Sequence, residues 1–256
     1  MFLITRHASV TVLAMNHLKA NAMDVELCEG LSAQFKELSR DSTISAIVLT
    51  GQGRIFSAGV DLLRLLDGGT AYVQRFLPAL SHMFNTVFEC PKPVVAAING
   101  AAVAGGCVLA CAADHRVIAD NGRIGVPELL VGVPFPTSAL EIMRYVTAPQ
   151  FLPEVLHGGA VYAATDARDR GIVDRIANTP DDTLPQAIEW AATLGRLPPA
   201  AFALTKRQLR ESTARRIREE GPGLDAIASE LWAQPETHTA IRDYVQRTFK
   251  PAAGRG

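Results

Sequence analysis

The segment that most constrains the fold of this chain is residues 91–128, which reads PKPVVAAINGAAVAGGCVLACAADHRVIADNGRIGVPE. Its apolar run at 94–98 contains β-branched residues and lies between turn-forming residues, a pattern typical of a strand buried on both faces. The small, apolar residues 107–113 predict a core helix, and Gly105 and Gly106 before them allow close backbone approach. Free amides at the start of this helix would face a cleft, where they could stabilise negative charge on an oxygen atom.

A similar alternation of strand, glycine turn and helix runs through the rest of the chain up to about residue 176. Residues 51–62 form a second glycine-bearing exit from an apolar strand into helical sequence. This alternation predicts βα units around a largely parallel sheet, and therefore an α/β fold. The predicted strands are 2–5, 10–15, 46–50, 94–98, 114–118 and 172–176, and the predicted helices include 24–40 and 72–88, the latter interrupted at Pro78.

From residue 182 the chain is almost wholly helical in pattern. Gly195 with the prolines that follow it, and the Gly-Pro-Gly sequence around Pro222, predict breaks between successive helices. Helices of this kind must pack an apolar face against another part of the protein. The sequence therefore predicts an α/β core over residues 1–190, followed by a C-terminal helical region over residues 191–256.

The composition argues against several classes of function. A formal net charge of -1 over 256 residues gives no reason to expect nucleic acid or an anionic membrane as a partner. No basic leader precedes a long apolar stretch, so neither a signal peptide nor a membrane span is expected. The histidines and cysteines lack ligand spacing, so no metal site is expected. Reduced structural thiols, typical of a cytoplasmic protein, are expected at Cys28, Cys90, Cys107 and Cys111.

Three motifs occur in a fixed order: FSAGVDL at residues 56–62, NGAAVAGGCVLACA at 99–112 and VPE at 126–128. They resemble the FxAGxDL, NGxAxGGGxxLA and xPE segments of the crotonase family, the enoyl-CoA hydratase and isomerase superfamily. Residues 19–23, KANAM, are similar to the ALNAL-like opening of that family. The resemblance covers nearly the whole chain. It implies a crotonase-like core of ββα turns wound into a superhelix, with a C-terminal helical layer.

The resemblance also implies a substrate and the residues that bind it. In this family the backbone amides at Val60 and Gly105 form an oxyanion hole for the thioester carbonyl of an acyl-CoA. Coenzyme A is then part of the substrate, and no separate cofactor is implied. Relatives assemble as homotrimers or as pairs of trimers, with C-terminal helices that pack across a neighbouring subunit. The residues that would contact coenzyme A are Lys19, Ala20, Ala58, Asp61 and Leu62, together with Tyr244 and Arg247 reaching an adjoining subunit's site.

Glu128 is the one carboxylate in a strongly apolar stretch, residues 124–135. Burial would raise its pKa and make it a stronger base, which suits a group that moves a proton on and off carbon. By the family resemblance Glu128 is the catalytic base. The alternative is a helix-capping or ion-paired glutamate at a turn.

Val108 occupies the position at which the family's hydratases carry a second glutamate. Hydration needs a water molecule held between two carboxylates, and valine can neither hold water nor transfer a proton. Moving a double bond from C3 to C2 needs one base and the oxyanion hole. The pattern therefore favours a Δ3,Δ2-enoyl-CoA isomerase that uses Glu128.

Three alternatives stay open at this point. One is a hydratase whose second acid lies outside the motifs, for example on residues 66–74. Another is an acyl-CoA binding protein without turnover. The last is different chemistry in the same oxyanion hole, such as decarboxylation or C–C cleavage, with His82 or Glu141 entering from elsewhere.

Overall fold

Two β-sheets organise the computed structural model, which describes residues 1–249. The strands are β1 (Phe2–His7), β2 (Val10–Met15), β3 (Ala46–Gly51), β4 (Ile55–Ser57), β5 (Val94–Ile98), β6 (Ala101–Val103), β7 (His115–Ile118), β8 (Arg123–Gly125), β9 (Val161–Ala163) and β10 (Arg175–Ile176). The helices are α1 (Val25–Arg40), α2 (Leu62–Phe88), α3 (Gly105–Cys111), α4 (Glu128–Val131), α5 (Thr137–Val146), α6 (Leu152–Gly158), α7 (Ala164–Asp169), α8 (Thr183–Gly195), α9 (Pro199–Trp232) and α10 (Pro235–Phe249).

The chain alternates between the two sheets in three successive ββα turns. The larger sheet has the order β1-β2-β3-β5-β7-β10, and the smaller sheet has the order β4-β6-β8-β9. In each turn one strand joins the larger sheet, the next joins the smaller sheet, and a helix follows: β3, β4 and α2, then β5, β6 and α3, then β7, β8 and α4. Within these turns the strands of each sheet are parallel. The predicted fold class is confirmed.

The central strands of the larger sheet are covered on both faces, which explains their continuous apolar runs. Every residue of β3 and β5 is buried. Ile47 and Leu49 point into the main core, whereas Ala46 and Val48 pack in a second cluster with Ala187 of α8. The strands therefore read as uniformly hydrophobic, without the alternation of a half-exposed strand.

The C-terminal region contains a longer helix than the sequence predicts. The predicted break around Pro222 is wrong, because α9 continues through this residue. Pro222 is exposed, so water can solvate the carbonyl that loses its helical partner. Tertiary bonds hold the helix on both sides: Arg216 pairs with Glu141 at 2.5 Å, and the Asp225 carboxylate accepts from the Thr137 N–H at 2.7 Å.

Buried cations attach α9 to the core. Lys206 and Arg210 pair with the two carboxylate oxygens of Asp114 at 2.7 and 2.9 Å. Arg210 also donates to the carbonyls of Phe88 at the end of α2 and of Ala112 just after α3. These carbonyls are the acceptors that a helix leaves free at its C-terminus, so the guanidinium satisfies them.

The division of the chain at residues 190–191 stays a prediction, and the structure places it inside α8. Because α8 packs on β2, β3, β5 and β7, the residues on both sides of this division belong to a helix that covers the larger sheet. Of the predicted C-terminal helical region, residues 250–256 lie outside the described residues.

Candidate functional site

Three parallel strands of the smaller sheet end at one edge. β4 ends at Ser57, β6 at Val103 and β8 at Gly125, and Val103 pairs with Gly125 in the sheet register. Because the carboxyl ends of parallel strands face the same side, the segments that leave them are brought together, and ligands bind at such edges. These segments carry the three motifs read from the sequence.

The first exit, residues 58–61, forms a parallel bridge with the loop before α1. The Met23 N–H donates to the Gly59 carbonyl at 2.8 Å, and the Asp61 N–H donates to the Met23 carbonyl at 2.9 Å. In such a bridge the central residue, here Val60, directs its own N–H away from the bridging strand. Gly59 has a φ of +84°, which side chains disfavour. The turn therefore presents the Val60 N–H as a donor that the bridge does not use.

The second exit has a strained residue immediately before Gly105. Ala104 adopts φ 52° and ψ -128°, although it carries a Cβ atom. Its N–H donates to the Gly125 carbonyl at 2.8 Å, and its carbonyl accepts from the N–H groups of Cys107 and Val108. Strain of this kind persists where surrounding bonds determine the conformation, and it is common at functional sites. Gly105 then begins α3 with an N–H that has no partner within the helix.

The two exits lie in direct contact. A Cβ atom added to Gly59 would lie 2.8 Å from the Ala104 Cβ and 3.2 Å from the Gly105 nitrogen. A Cβ atom added to Gly106 would lie 2.4 Å from the Ser57 carbonyl oxygen. Only glycine permits this packing. Two amides presented from adjoining turns can together stabilise one carbonyl oxygen as it gains negative charge.

Asn21 supports the first exit, and the sequence analysis assigned it no role of its own. Its side-chain amide donates to the Phe56 carbonyl at 3.0 Å, and its side-chain oxygen accepts from the His17 N–H at 2.9 Å. Beside it, the Ala58 N–H donates to the Ala20 carbonyl at 3.0 Å. Asn21 has a φ of 50°, a conformation that asparagine tolerates better than most residues. That tolerance, in a loop facing a glycine turn, is the signal that could have identified it.

Glu128 follows the third exit as the first residue of α4. Its side chain is buried, and Oε2 has no hydrogen-bond partner in the part of the chain that the structure describes. Burial raises the pKa of Glu128 from its ordinary 4.5 to about 8, although a hydrogen bond to its own backbone opposes the shift. A carboxylate with this pKa can take a proton from carbon and return it near neutral pH.

The residues considered as a second acid are not free carboxylates beside Glu128. Val108 is fully buried within α3. Glu141 is buried and ion-paired with two arginines, and His82 is exposed. Residues 66–74, expected as a loop, belong to α2, which begins at Leu62 and is non-helical only at Gly69. The predicted helix 72–88 is therefore part of a longer helix, and its predicted interruption at Pro78 is wrong, because α2 continues through that residue.

The first five residues predicted to contact coenzyme A lie beside the first exit. Lys19 and Ala58 are exposed, and Ala20 is half-buried in the loop that bonds to this exit. Asp61 caps α2, because its carboxylate accepts from the Arg64 N–H at 3.0 Å, and Leu62 begins that helix. The structure brings these residues together, while their contact with coenzyme A stays a prediction.

Tyr244 and Arg247 lie on α10, which packs against α2 and α4 of the same chain. Tyr244 is half-buried against the main core, and Arg247 is exposed. α4 is the helix that Glu128 begins, so α10 adjoins the site of its own chain. The expectation that these residues reach an adjoining subunit stays a prediction.

Residues 1–249 contain all four cysteines of the chain. The four cysteines are buried free thiols, as predicted. No group of three or more His, Cys, Asp or Glu side chains among these residues is arranged to hold a metal ion. Within the same range, none of the helices has the length and apolar character needed to span a bilayer.

Comparison with known proteins identifies the family. The family model described as enoyl-CoA hydratase/isomerase matches residues 5–248. The chain belongs to this family. The crystal structure of human mitochondrial delta3-delta2-enoyl-CoA isomerase shares the fold, with a TM-score of 0.89, 23% sequence identity, and coverage of 96% of this chain and 97% of that one.

Relatives within the enoyl-CoA hydratase/isomerase family carry both names. A putative enoyl-CoA hydratase of Thermus thermophilus is 34% identical over 194 residues, which cover 75% of this chain and 76% of the relative. The human mitochondrial enoyl-CoA delta isomerase 1 is 27% identical over 216 residues, which cover 82% of this chain and 70% of the relative. Membership is therefore shown, and the choice between hydration and isomerisation depends on the residues of the site.

Proposed function

We propose that this member of the enoyl-CoA hydratase/isomerase family acts on acyl-CoA thioesters and converts 3-enoyl-CoA to 2-enoyl-CoA. One observation carries the proposal: the site has a buried glutamate, Glu128, with no ionic partner among residues 1–249, and a valine, Val108, where the family's hydratases have a second glutamate. Coenzyme A is part of the substrate in this reaction, so the proposal requires no separate cofactor.

The proposed reaction uses two backbone donors and one side chain. The amides of Val60 and Gly105 donate to the thioester oxygen, and Glu128 removes a proton from C2. The electron pair of that C–H bond delocalises into the thioester and the C3=C4 double bond, which gives a dienolate. The protonated Glu128 then returns the proton to C4, leaving the double bond between C2 and C3. One oxyanion-hole donor is worth about 3 kcal/mol of transition-state stabilisation in comparable acyl chemistry.

Hydration is the second candidate, since the Thermus thermophilus relative is named a putative hydratase. Addition of water to C3 requires a group that directs the water as well as a group that handles the proton at C2. Glu141 is ion-paired with two arginines, so it is not free to direct the water. The acid within residues 66–74 is Asp67, which is exposed on α2. A non-catalytic acyl-CoA binding protein is the third candidate, and the raised pKa of Glu128 argues against it.

Two further expectations rest on the family resemblance and stay proposals. We expect a homotrimer or a pair of trimers, because relatives of this family assemble in that way. We expect a cytoplasmic enzyme, in keeping with its reduced cysteines.

The experiment that tests the proposed function compares two substrates. The protein should convert a 3-enoyl-CoA to the conjugated 2-enoyl-CoA, seen as a rise in ultraviolet absorbance, and should hydrate a 2-enoyl-CoA slowly or not at all. Val108→Glu should raise hydration, because a carboxylate on α3 could hold the missing water, and circular dichroism would check that a buried charge has not unfolded the helix. Hydration by the unmodified protein as fast as its isomerisation would contradict the single-carboxylate proposal.

A further inference from the structure

Ser57 lies between the two turns that present the amides, and the proposed reaction gives it no role. It is the last residue of β4 and is fully buried. Its hydroxyl donates to a backbone carbonyl instead of a side-chain base, so it is unsuited to nucleophilic attack. Its bonds instead connect segments that are distant in sequence.

The Ser57 hydroxyl donates one hydrogen bond and accepts another. It donates to the Asn21 carbonyl at 2.8 Å, and it accepts from the Gly59 N–H at 3.2 Å. The second bond spans two residues and closes a serine turn, which helps to fix the backbone of Gly59. Gly59 in turn precedes the Val60 amide, so the hydroxyl acts on the orientation of that donor through one residue.

The main chain of Ser57 also determines where the second turn lies. A Cβ atom on Gly106 would be 2.4 Å from the Ser57 carbonyl oxygen and 3.0 Å from the Ser57 Cβ, so the first turn of α3 packs directly on this residue. One residue therefore contacts the backbone before Val60 and the backbone after Gly105.

We infer that Ser57 is a positioning residue that sets the spacing and direction of the two amide donors. This inference rests on the proposed function, because it assumes that the Val60 and Gly105 amides receive a thioester oxygen. Its hydroxyl fixes the Val60 turn to the Asn21 loop, and its main chain fixes the distance to α3. The role requires no contact between Ser57 and the substrate.

The test compares Ser57→Ala with Ser57→Cys and with Ser32→Ala. Alanine removes both hydrogen bonds, whereas the cysteine thiol is a weak donor and acceptor and should recover part of the effect. Ser32 is a buried serine whose hydroxyl donates to the Cys28 carbonyl at 2.8 Å within α1, so Ser32→Ala controls for the loss of a buried hydroxyl away from the site.

Two measurements are made on each variant. With a 3-enoyl-CoA substrate, we expect kcat of Ser57→Ala to fall by about 10-fold, less than the 10²–10³-fold loss for removing a donor outright, and KM to change by less than about twofold. With butanoyl-CoA, which has no double bond to move, infrared spectroscopy reports how strongly the bound thioester carbonyl is polarised. We expect the lowering of the carbonyl frequency to be smaller in Ser57→Ala, intermediate in Ser57→Cys and unchanged in Ser32→Ala.

The outcomes separate this inference from the proposed function. A parent protein that polarises the carbonyl but does not isomerise 3-enoyl-CoA would refute the proposed function, while the infrared comparison would still decide the role of Ser57. Equal kcat and equal carbonyl frequency in the parent and Ser57→Ala would overturn the inference, and so would a parent that leaves the carbonyl frequency of bound butanoyl-CoA unchanged. If Ser57→Ala does not fold, Ser57→Cys decides by the same two measurements.

Discussion

Two buried glutamates on neighbouring helices, Glu128 on α4 and Glu141 on α5, have opposite surroundings. Glu128 is 8% exposed, and its Oε2 atom has no hydrogen-bond partner among residues 1–249. Glu141 is 3% exposed, and its two oxygens pair with Arg144 at 2.7 Å and Arg216 at 2.5 Å. Similar burial therefore does not imply a similar role.

The carboxylate of Glu128 can react, whereas the carboxylate of Glu141 holds helices together. Burial, with no paired cation in the part of the chain that the structure describes, disfavours the charged form of Glu128 and makes it a stronger base, so its proton is exchangeable near neutral pH. Glu141 joins α5 to α9 through Arg216, and its charge is compensated in place. We expect a change at the first residue to remove activity and a change at the second to remove stability.

The largest expected effect is that of Glu128→Gln on turnover. The amide keeps the shape of the side chain but cannot accept the C2 proton, so isomerisation of a 3-enoyl-CoA should fall by about 10²–10⁴-fold. Binding of an acyl-CoA, measured by calorimetry, should be retained. Unchanged turnover in a folded Glu128→Gln variant would show that another group is the base.

The pH dependence is the next effect and tests the same residue in the unmodified protein. Because the base must be ionised and its pKa is raised to about 8, kcat/KM should rise about tenfold per pH unit below that value and level off above it. A profile that is flat from about pH 6 to pH 9 would contradict this assignment.

The same pKa shift has a consequence for stability, with a definite sign. The folded pKa of about 8 lies above the ordinary 4.5, so the contribution of Glu128 to stability is complete below pH 4.5 and is lost as pH rises towards 8. In that window each pH unit lowers the free energy of unfolding by at most about 1.4 kcal/mol. Urea titrations at several pH values should show this slope in the parent and its absence in Glu128→Gln.

The smallest expected effect is that of Glu141→Gln, and it falls on stability. The change removes the charge that compensates Arg144 and Arg216, both of which reach water in part, so the loss in free energy of unfolding should be about 1–3 kcal/mol. Isomerisation by the folded variant should stay within about twofold of the parent, since the loss of a general base would cost far more.

A matched exposed pair provides the control for the Glu141→Gln prediction. Glu211 and Arg218 form an ion pair at 2.8 Å with both side chains more than half exposed, and Glu211→Gln should leave the urea midpoint unchanged. A Glu141→Gln variant as stable as Glu211→Gln, or one that loses activity while remaining folded, would remove the contrast between the two buried glutamates.

Much of the fold could be predicted because the chemistry of its elements is local. The apolar run that became β5 and the Asp24 cap that begins α1 read directly from the sequence. The course of α9 could not be read in this way, because Pro222 signals a break and the bonds that override it come from Thr137 and Glu141 elsewhere in the chain. At Pro222, tertiary contacts override the local preference for a helix break.

In the candidate site too, some features follow from local sequence and others depend on tertiary contacts. The turns around Gly59 and Gly105 could be located from sequence, because backbone donors at close approach leave a pattern of glycine and small residues. The positive φ of Ala104 could not, since alanine does not favour it and bonds to Gly125, Cys107 and Val108 impose it. The conformation of such a residue can be recognised only from the three-dimensional structure, in which the neighbouring strands are paired.

The parallel bridge between Met23 and Val60 fixes the direction of the backbone amide at position 60 but places no demand on the side chain there. The direction of the Val60 N–H is set by hydrogen bonds that its neighbours Gly59 and Asp61 make, and the Val60 side chain makes none of them. Any residue with a backbone N–H that tolerates an extended bridge can present the same donor. If the proposed function holds, we expect mutation at position 60 to alter the shape of the cleft beside the thioester, and with it the range of accepted acyl groups, while the proposed amide donor stays unchanged.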